Sequence, residues 1–182
     1  MIIKKLCKFR DNIAVKYQRK FYTYKDIDRL SDIVCCFIQK VQIGNKLICI
    51  AFTNVDVNLI VTIFGVLKSG ENMILLNKNS KSYKYKLDRL SPKIVIDTEN
   101  DSMKNSIDYN SVINFVKNNR LTCGIKKNIN LDNNFLTVFT SGSTGEPKII
   151  NCKYGTIDTY INFLETNYKL QLFQLKLDKI LY

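Results

Sequence analysis

The chain has 182 residues, 46% of them apolar, which is enough for one domain with a hydrophobic core and excludes a disordered chain as the default reading. Lys and Arg number 28 against 16 Asp and Glu, a formal charge of +12, but the basic residues form no Arg-rich block and carry no zinc-finger, basic-zipper or RNA-binding signature, so nucleic acid is not the expected partner. With no histidine the chain cannot build a His-dependent triad or a Cys/His zinc site, and its six cysteines form no C-x-x-C pair, so no metal ligands are assigned.

Residues 1–12 hold no apolar stretch long enough for a signal peptide, and the longest apolar run, residues 59–67, is far short of the ~20 residues that cross a bilayer. No membrane association is expected. Cys35, Cys36 and Cys49 sit in apolar runs, where a free thiol behaves as a small buried hydrophobe; this fits a reducing, cytoplasmic compartment better than a disulfide framework.

In chain order, Thr23 with Asp26 three residues later reads as a capping box. Ile27, Leu30, Val34, Phe37, Ile38 and Val41 then recur at helical spacing, with a stop expected near Gly44. Residues 47–52 (LICIAF) suit a short buried strand. A second helix is expected with Thr53 and Asp56 as cap and box, running through Val57, Ile60, Val61, Phe64 and Leu67 to Gly70. Then come a strand at 73–76, a polar helical stretch at 81–90 and a strand at 93–97 (KIVID). Residues 99–110 and 126–134 are polar and read as surface connections, with a short helix around 112–116 between them and an apolar run at 135–139 after them. Short buried strands alternating with helices predict an α/β architecture with mostly parallel pairings, covered on both faces. No internal repeat or low-complexity linker divides the chain.

Between the apolar runs 135–139 and 149–150 lies the string TSGSTGEPK, residues 140–148. Gly142 and Gly145 can adopt backbone angles closed to other residues and let main-chain N–H groups approach an anion. Thr140, Ser141, Ser143 and Thr144 add rotatable hydroxyls, Pro147 stiffens the exit, and Lys148 supplies a point charge for phosphate oxygens. The spacing is not that of a Walker loop, which needs Gly-Lys-Ser/Thr in succession; here Lys148 stands three residues after Gly145 and precedes Ile149.

This string closely resembles the phosphate loop of the adenylate-forming (AMP-binding) enzymes, the superfamily of nonribosomal peptide synthetase adenylation domains, acyl-CoA synthetases and luciferases. Other segments agree in order. Residues 12–15 with 22–27 (NIAV, then YTYKDI) resemble the family's opening, where a Thr-Tyr pair begins the first helix. Residues 67–77 (LKSGENMILLN) are similar to the segment usually written L-K-A-G-x-x-Y-V-P-L-D. The S-G-S-T-G form is most like a peptide-synthetase adenylation domain, and residues 178–182 (DKILY) resemble the strand that follows the helix after the phosphate loop. Locally, Leu75 and Asn77 replace the usual Pro and Asp, Ile149 a common Gly, and Tyr154 a common His.

The resemblance implies the N-terminal portion of the family's large subdomain, a mixed, mostly parallel sheet flanked by helices, with residues 1–182 as a partial adenylation domain that reads as truncated. It implies a ligase in which a carboxylate attacks the α-phosphate of ATP, with Mg2+, to give an acyl-adenylate and pyrophosphate. Thr140, Ser141, Gly142, Ser143, Thr144, Gly145 and Lys148 would bind the β- and γ-phosphates. The segments that bind the substrate amino group, adenine, Mg2+ and ribose, and the catalytic lysine of the C-terminal subdomain, have no counterpart here, so no catalytic residue is assigned. Lys169, Lys176 and Lys179 read as surface charges. Partners implied are ATP, a carboxylate or amino acid in a complete domain, and a phosphopantetheine carrier protein as acceptor. Two alternatives stand beside this: a half-domain that docks on a complementary subunit, or a parent that is a D-alanine carrier-protein ligase or an acyl-CoA synthetase.

Overall fold

The structure is a computed structural model, and it describes residues 10–41, 46–99, 106–118, 129–140 and 147–168. It opens with an antiparallel hairpin, β1 (Ile13–Tyr17) and β2 (Lys20–Thr23). The two connecting residues, Gln18 (φ 45°) and Arg19 (φ 63°), both lie in the left-handed region, as the twist of a two-residue hairpin requires.

Helix α1 (Tyr24–Lys40) starts on the expected capping box. The Thr23 amide donates to Asp26 Oδ2 at 2.9 Å, and the Asp26 amide donates to Thr23 Oγ1 at 3.2 Å. The backbone hydrogen bond from Thr23, followed by its side-chain bond, holds the Asp26 carboxyl below its ordinary range. Ile27, Ser31, Val34 and Ile38 form the buried stripe.

Helix α2 (Val57–Ser69) follows β3 (Leu47–Phe52) and departs from expectation at its start. Asp56 itself is the cap, accepting from the Leu59 amide at 2.8 Å, while the Thr53 amide donates instead to Glu99. The helix ends as predicted at Gly70, whose φ of 74° favours glycine. Where α1 and α2 cross, a methyl group on Gly65 would fall 2.5 Å from Val34 Cβ, so the helices approach through the missing side chain. A few residues on, the fully buried Lys68 reaches back to α1. Its Nζ lies 2.6 Å from Asp28 Oδ1, 2.7 Å from Asp32 Oδ1 and 2.8 Å from the Asp28 carbonyl oxygen.

The remaining elements are β4 (Asn72–Asn77), α3 (Tyr83–Leu90), β5 (Ile94–Asp97), β6 (Ile107–Asp108), α4 (Tyr109–Asn118), β7 (Asn134–Phe139), β8 (Ile149–Lys153) and α5 (Tyr154–Tyr168). Six strands form one sheet in the order β6-β5-β3-β4-β7-β8, parallel throughout except for the antiparallel β8. Side chains alternate across it. Ile48, Ile50, Met73, Ile94 and Ile96 join the main core with α1, α2 and α4, while Cys49, Ala51, Ile74 and Leu76 face Tyr83, Leu87 and Leu90 of α3. The helices that follow the neighbouring strands β3 and β4 therefore lie on opposite faces, which opens the sheet at the carboxyl ends of those strands.

The sequence reading of the cysteines holds in part. Cys35, Cys49 and Cys152 carry thiols outside any disulfide, and burial pushes the Cys49 thiol up to about 12, with the Asp97 charge adding to the effect. Cys36 is disulfide-bonded, which corrects the expectation that it is a reduced core residue. No helix among the described residues is long and apolar enough to cross a membrane.

Candidate phosphate-binding site

Strand β7 rises beside β4 and ends at Phe139; β8 starts at Ile149 and returns antiparallel, with Phe139 opposite Ile149. The string 140–148 thus has both of its ends at the carboxyl edge of the sheet. Its two ends are tied together: the Thr140 amide donates to the Lys148 carbonyl oxygen at 2.9 Å, and the Lys148 amide donates to Thr140 Oγ1 at 3.2 Å. Thr140 therefore uses its hydroxyl to close the neck of the loop, while the Lys148 side chain is exposed at the rim. Ser141, Gly142, Ser143, Thr144 and Gly145 lie outside the described residues. Among the described residues, no group of three or more His, Cys, Asp or Glu could hold a metal ion.

A second polar cluster stands on the same rim, at the ends of β3, β4 and β5. The Lys78 ammonium lies 2.9 Å from both Asp97 oxygens and 2.9 Å from Glu99 Oε2. Glu99 Oε1 accepts from the amides of Thr53 at 3.2 Å and Asn54 at 3.1 Å. Asp97 is fully buried. Burial lowers the Lys78 pKa, but the hydrogen bonds to Asp97 and Glu99, with their charges, outweigh it and hold the ammonium above its ordinary range. Desolvation raises Glu99, and the bonds from Thr53, Lys78 and Asn54 overcome it, bringing the carboxyl down to about 2. This cluster fixes three rim loops to one another. The sequence reading missed it and took residue 99 as the start of a surface connection. The available signal was an acid at the end of the buried strand KIVID and a lysine just after the apolar β4.

Tyr154, at the start of α5, is buried, and its hydroxyl donates to the Glu71 carbonyl oxygen at 2.9 Å. Its ring packs 5.6 Å from that of Phe135, and burial pushes the phenol well above its ordinary range. Tyr154 anchors the start of α5 to the turn after α2. Ile149, by contrast, is exposed on the edge strand.

No known protein-family model matches the chain. Individual proteins do. The chain is 26% identical over 170 residues to the polyketide synthase PksN of Bacillus subtilis, covering 87% of this chain and 3% of that protein. It is 25% identical over 169 residues to the D-alanine–D-alanyl carrier protein ligase of Staphylococcus aureus, covering 90% of this chain and 34% of the ligase. The N-terminal subdomain of NpsA from Klebsiella oxytoca, solved in complex with 3-hydroxyanthranilyl-AMSN, superposes with a TM-score of 0.68 at 20% identity, over 84% of this chain and 40% of that one. The chain spans about a third or less of the length of these curated relatives. In sequence and in fold it corresponds to the N-terminal part of the adenylate-forming superfamily and is related to the adenylating ligases.

Proposed function

We propose that the chain supplies the loop that holds the β- and γ-phosphates of ATP in an ATP-dependent, carboxylate-activating ligase of the amino-acid-adenylating kind. The observation that supports this is the neck between Thr140 and Lys148, which holds the two ends of the hydroxyl- and glycine-rich string together at the carboxyl edge of the sheet. Ser141, Gly142, Ser143, Thr144 and Gly145 would offer backbone and hydroxyl donors to the phosphate oxygens, and Lys148 a positive charge. Those donors act where charge develops on the pyrophosphate leaving group as a carboxylate attacks the α-phosphate. Mg2+ would accompany the nucleotide. The acceptor would be a carrier protein bearing phosphopantetheine, as the name of the D-alanyl carrier protein ligase suggests, and the reaction would take place in the cytoplasm.

The loop is one part of such a site. Hydrogen bonds to charged groups contribute ~1.5–3 kcal/mol each, and fixing each loop residue costs ~1–2 kcal/mol. Binding of ATP to the chain alone is therefore expected at millimolar strength or weaker, about −4 kcal/mol or less favourable, with no adenylation by the chain alone. The test is MgATP binding to the chain and to Lys148→Ala, followed by ligand-observed NMR. Binding by the chain that weakens at least threefold in the variant is expected; equal binding by the two proteins overturns the assignment.

A further inference from the structure

The Glu99 carboxylate is held as a bound anion is held. Its Oε1 accepts from two successive main-chain amides, Thr53 at 3.2 Å and Asn54 at 3.1 Å, and from the Asn54 side-chain amide at 3.3 Å, while Oε2 meets the Lys78 ammonium at 2.9 Å. Successive amides aimed at one oxygen make an anion-binding concavity. The place is the crevice beyond the carboxyl ends of β3 and β4, whose following helices leave on opposite faces, and open α/β sheets take their ligands at such a switch point.

The cradle is built without help from Glu99. The Lys78 amide donates to the Phe52 carbonyl oxygen at 2.7 Å, and the Lys78 ammonium is held by both Asp97 oxygens at 2.9 Å. The Thr98 amide donates to the Ala51 carbonyl oxygen at 3.0 Å, and Asn58 Nδ2, on α2, donates to the Thr98 carbonyl oxygen at 3.1 Å. These bonds fix the ends of β3, β4 and β5 to one another. The Glu99 side chain is 24% exposed and can leave by rotation about its own bonds, with no strand displaced. Charge then selects the ligand. Lys78 and the fully buried Asp97 cancel, so without Glu99 the cradle presents three N–H donors beside a neutral ion pair. One negative charge shared by two oxygens restores the observed arrangement, whereas a dianion would set a second charge against the desolvated Asp97.

We propose that the crevice formed by Thr53, Asn54 and Lys78 is a binding site for a ligand carboxylate, and that Glu99 is its internal stopper, an autoinhibitory contact that the incoming carboxylate displaces. The site is separate from the phosphate loop and does not depend on the ligase reading. A tethered group competes at an effective concentration on the order of millimolar, so in the native chain a bare carboxylate binds weakly and a ligand with further contacts is favoured.

The experiment is an amide NMR titration of the full chain, Glu99→Ala and Glu99→Gln with sodium acetate, at neutral pH and constant ionic strength in a buffer free of carboxylates. In Glu99→Ala the expected result is saturable shifts at the Thr53 and Asn54 amides, with an acetate affinity at least tenfold above that of the native chain and a thermal midpoint that rises with acetate. Glu99→Gln, whose neutral carboxamide still fills the cradle, should bind acetate at least fivefold more weakly than Glu99→Ala, and inorganic phosphate should bind Glu99→Ala more weakly than acetate does. No saturable shift at Thr53 and Asn54 in Glu99→Ala, equal acetate affinity in the three proteins, or tighter binding of phosphate would overturn the proposal. If Glu99→Ala is unfolded without ligand, acetate should restore its cooperative melt where chloride does not, and failure of that rescue counts equally against the site.

Discussion

Thr140 and Lys148, eight residues apart, hold each other by three hydrogen bonds, backbone to backbone at 2.9 Å, backbone to hydroxyl at 3.2 Å and hydroxyl to carbonyl oxygen at 3.5 Å. The hydroxyl that looks like a ligand donor in the sequence is thus committed to the geometry of the loop. Thr140→Val keeps the shape and the backbone bond but removes the acceptor of the Lys148 amide. We expect a loss of about 0.5–1.5 kcal/mol in local opening, read as exchange of the Lys148 amide several times faster, with little change in the global melt. Unchanged exchange at Lys148 would show that the hydroxyl does not hold the neck.

Lys68 tests the packing of α1 on α2. Breaking a buried ion pair by removing one partner costs about 3–5 kcal/mol, and Asp32, at 46% exposed, will recover part of its share from water. Lys68→Ala should therefore cost roughly 2–4 kcal/mol in urea unfolding, most of it through the better-buried Asp28. Asp28→Asn combined with Lys68→Met should cost less than Lys68→Ala alone, since it removes the two less exposed charges, keeps the volume and leaves only the half-exposed Asp32 carboxylate to water. A loss below about 1 kcal/mol for Lys68→Ala would contradict this account.

Gly65→Ala separates local propensity from tertiary fit. In an isolated helix alanine gains about 1 kcal/mol over glycine, but here the new methyl would meet Val34 Cβ at 2.5 Å. A net loss of about 1–3 kcal/mol is expected from overpacking. Adding Val34→Ala should recover part of it, a coupling that a double-mutant cycle measures. Additive effects would mean that the two helices do not touch at this point.

Glu99 gives the rim a pH dependence with a definite sign. Its folded pKa, about 2, lies below its ordinary 4.5, so its contribution is complete above the ordinary value and is lost as the pH falls towards the folded one. The stability difference between the chain and Glu99→Gln should be about 1–3 kcal/mol at pH 7 and should shrink steadily below pH 4.5, nearly vanishing by pH 2. A difference that does not change with pH would mean that the carboxylate is not held by Lys78 and the amides of Thr53 and Asn54.

Much of the fold was legible because its signals are local. The Thr23–Asp26 box, the spacing from Ile27 to Ile38, the stop at Gly70 and the apolar strands 47–52 and 93–97 each state their structure within a few residues. The β1–β2 hairpin was not legible as strands: its turn uses Gln18 and Arg19 rather than the Asn-Gly or Asp-Gly that normally announces positive φ. The cap of α2 was misplaced because Thr53 is engaged by Glu99, 46 positions away, and spacing arguments do not see such a contact. The anchoring of Tyr154 was not legible for the same reason, since its partners Phe135 and Glu71 come from distant segments. For the candidate site, residue types named the loop, while the commitment of Thr140 to the neck became visible only once β7 and β8 were paired.

The central claim is that residues 140–148 receive phosphate, and the most direct measurement is an amide NMR titration of the full chain with inorganic pyrophosphate. The account predicts saturable shifts at millimolar pyrophosphate that centre on 140–148 and weaken in Lys148→Ala. Shifts that centre instead on Thr53 and Asn54, or no saturable shifts at all, would contradict it.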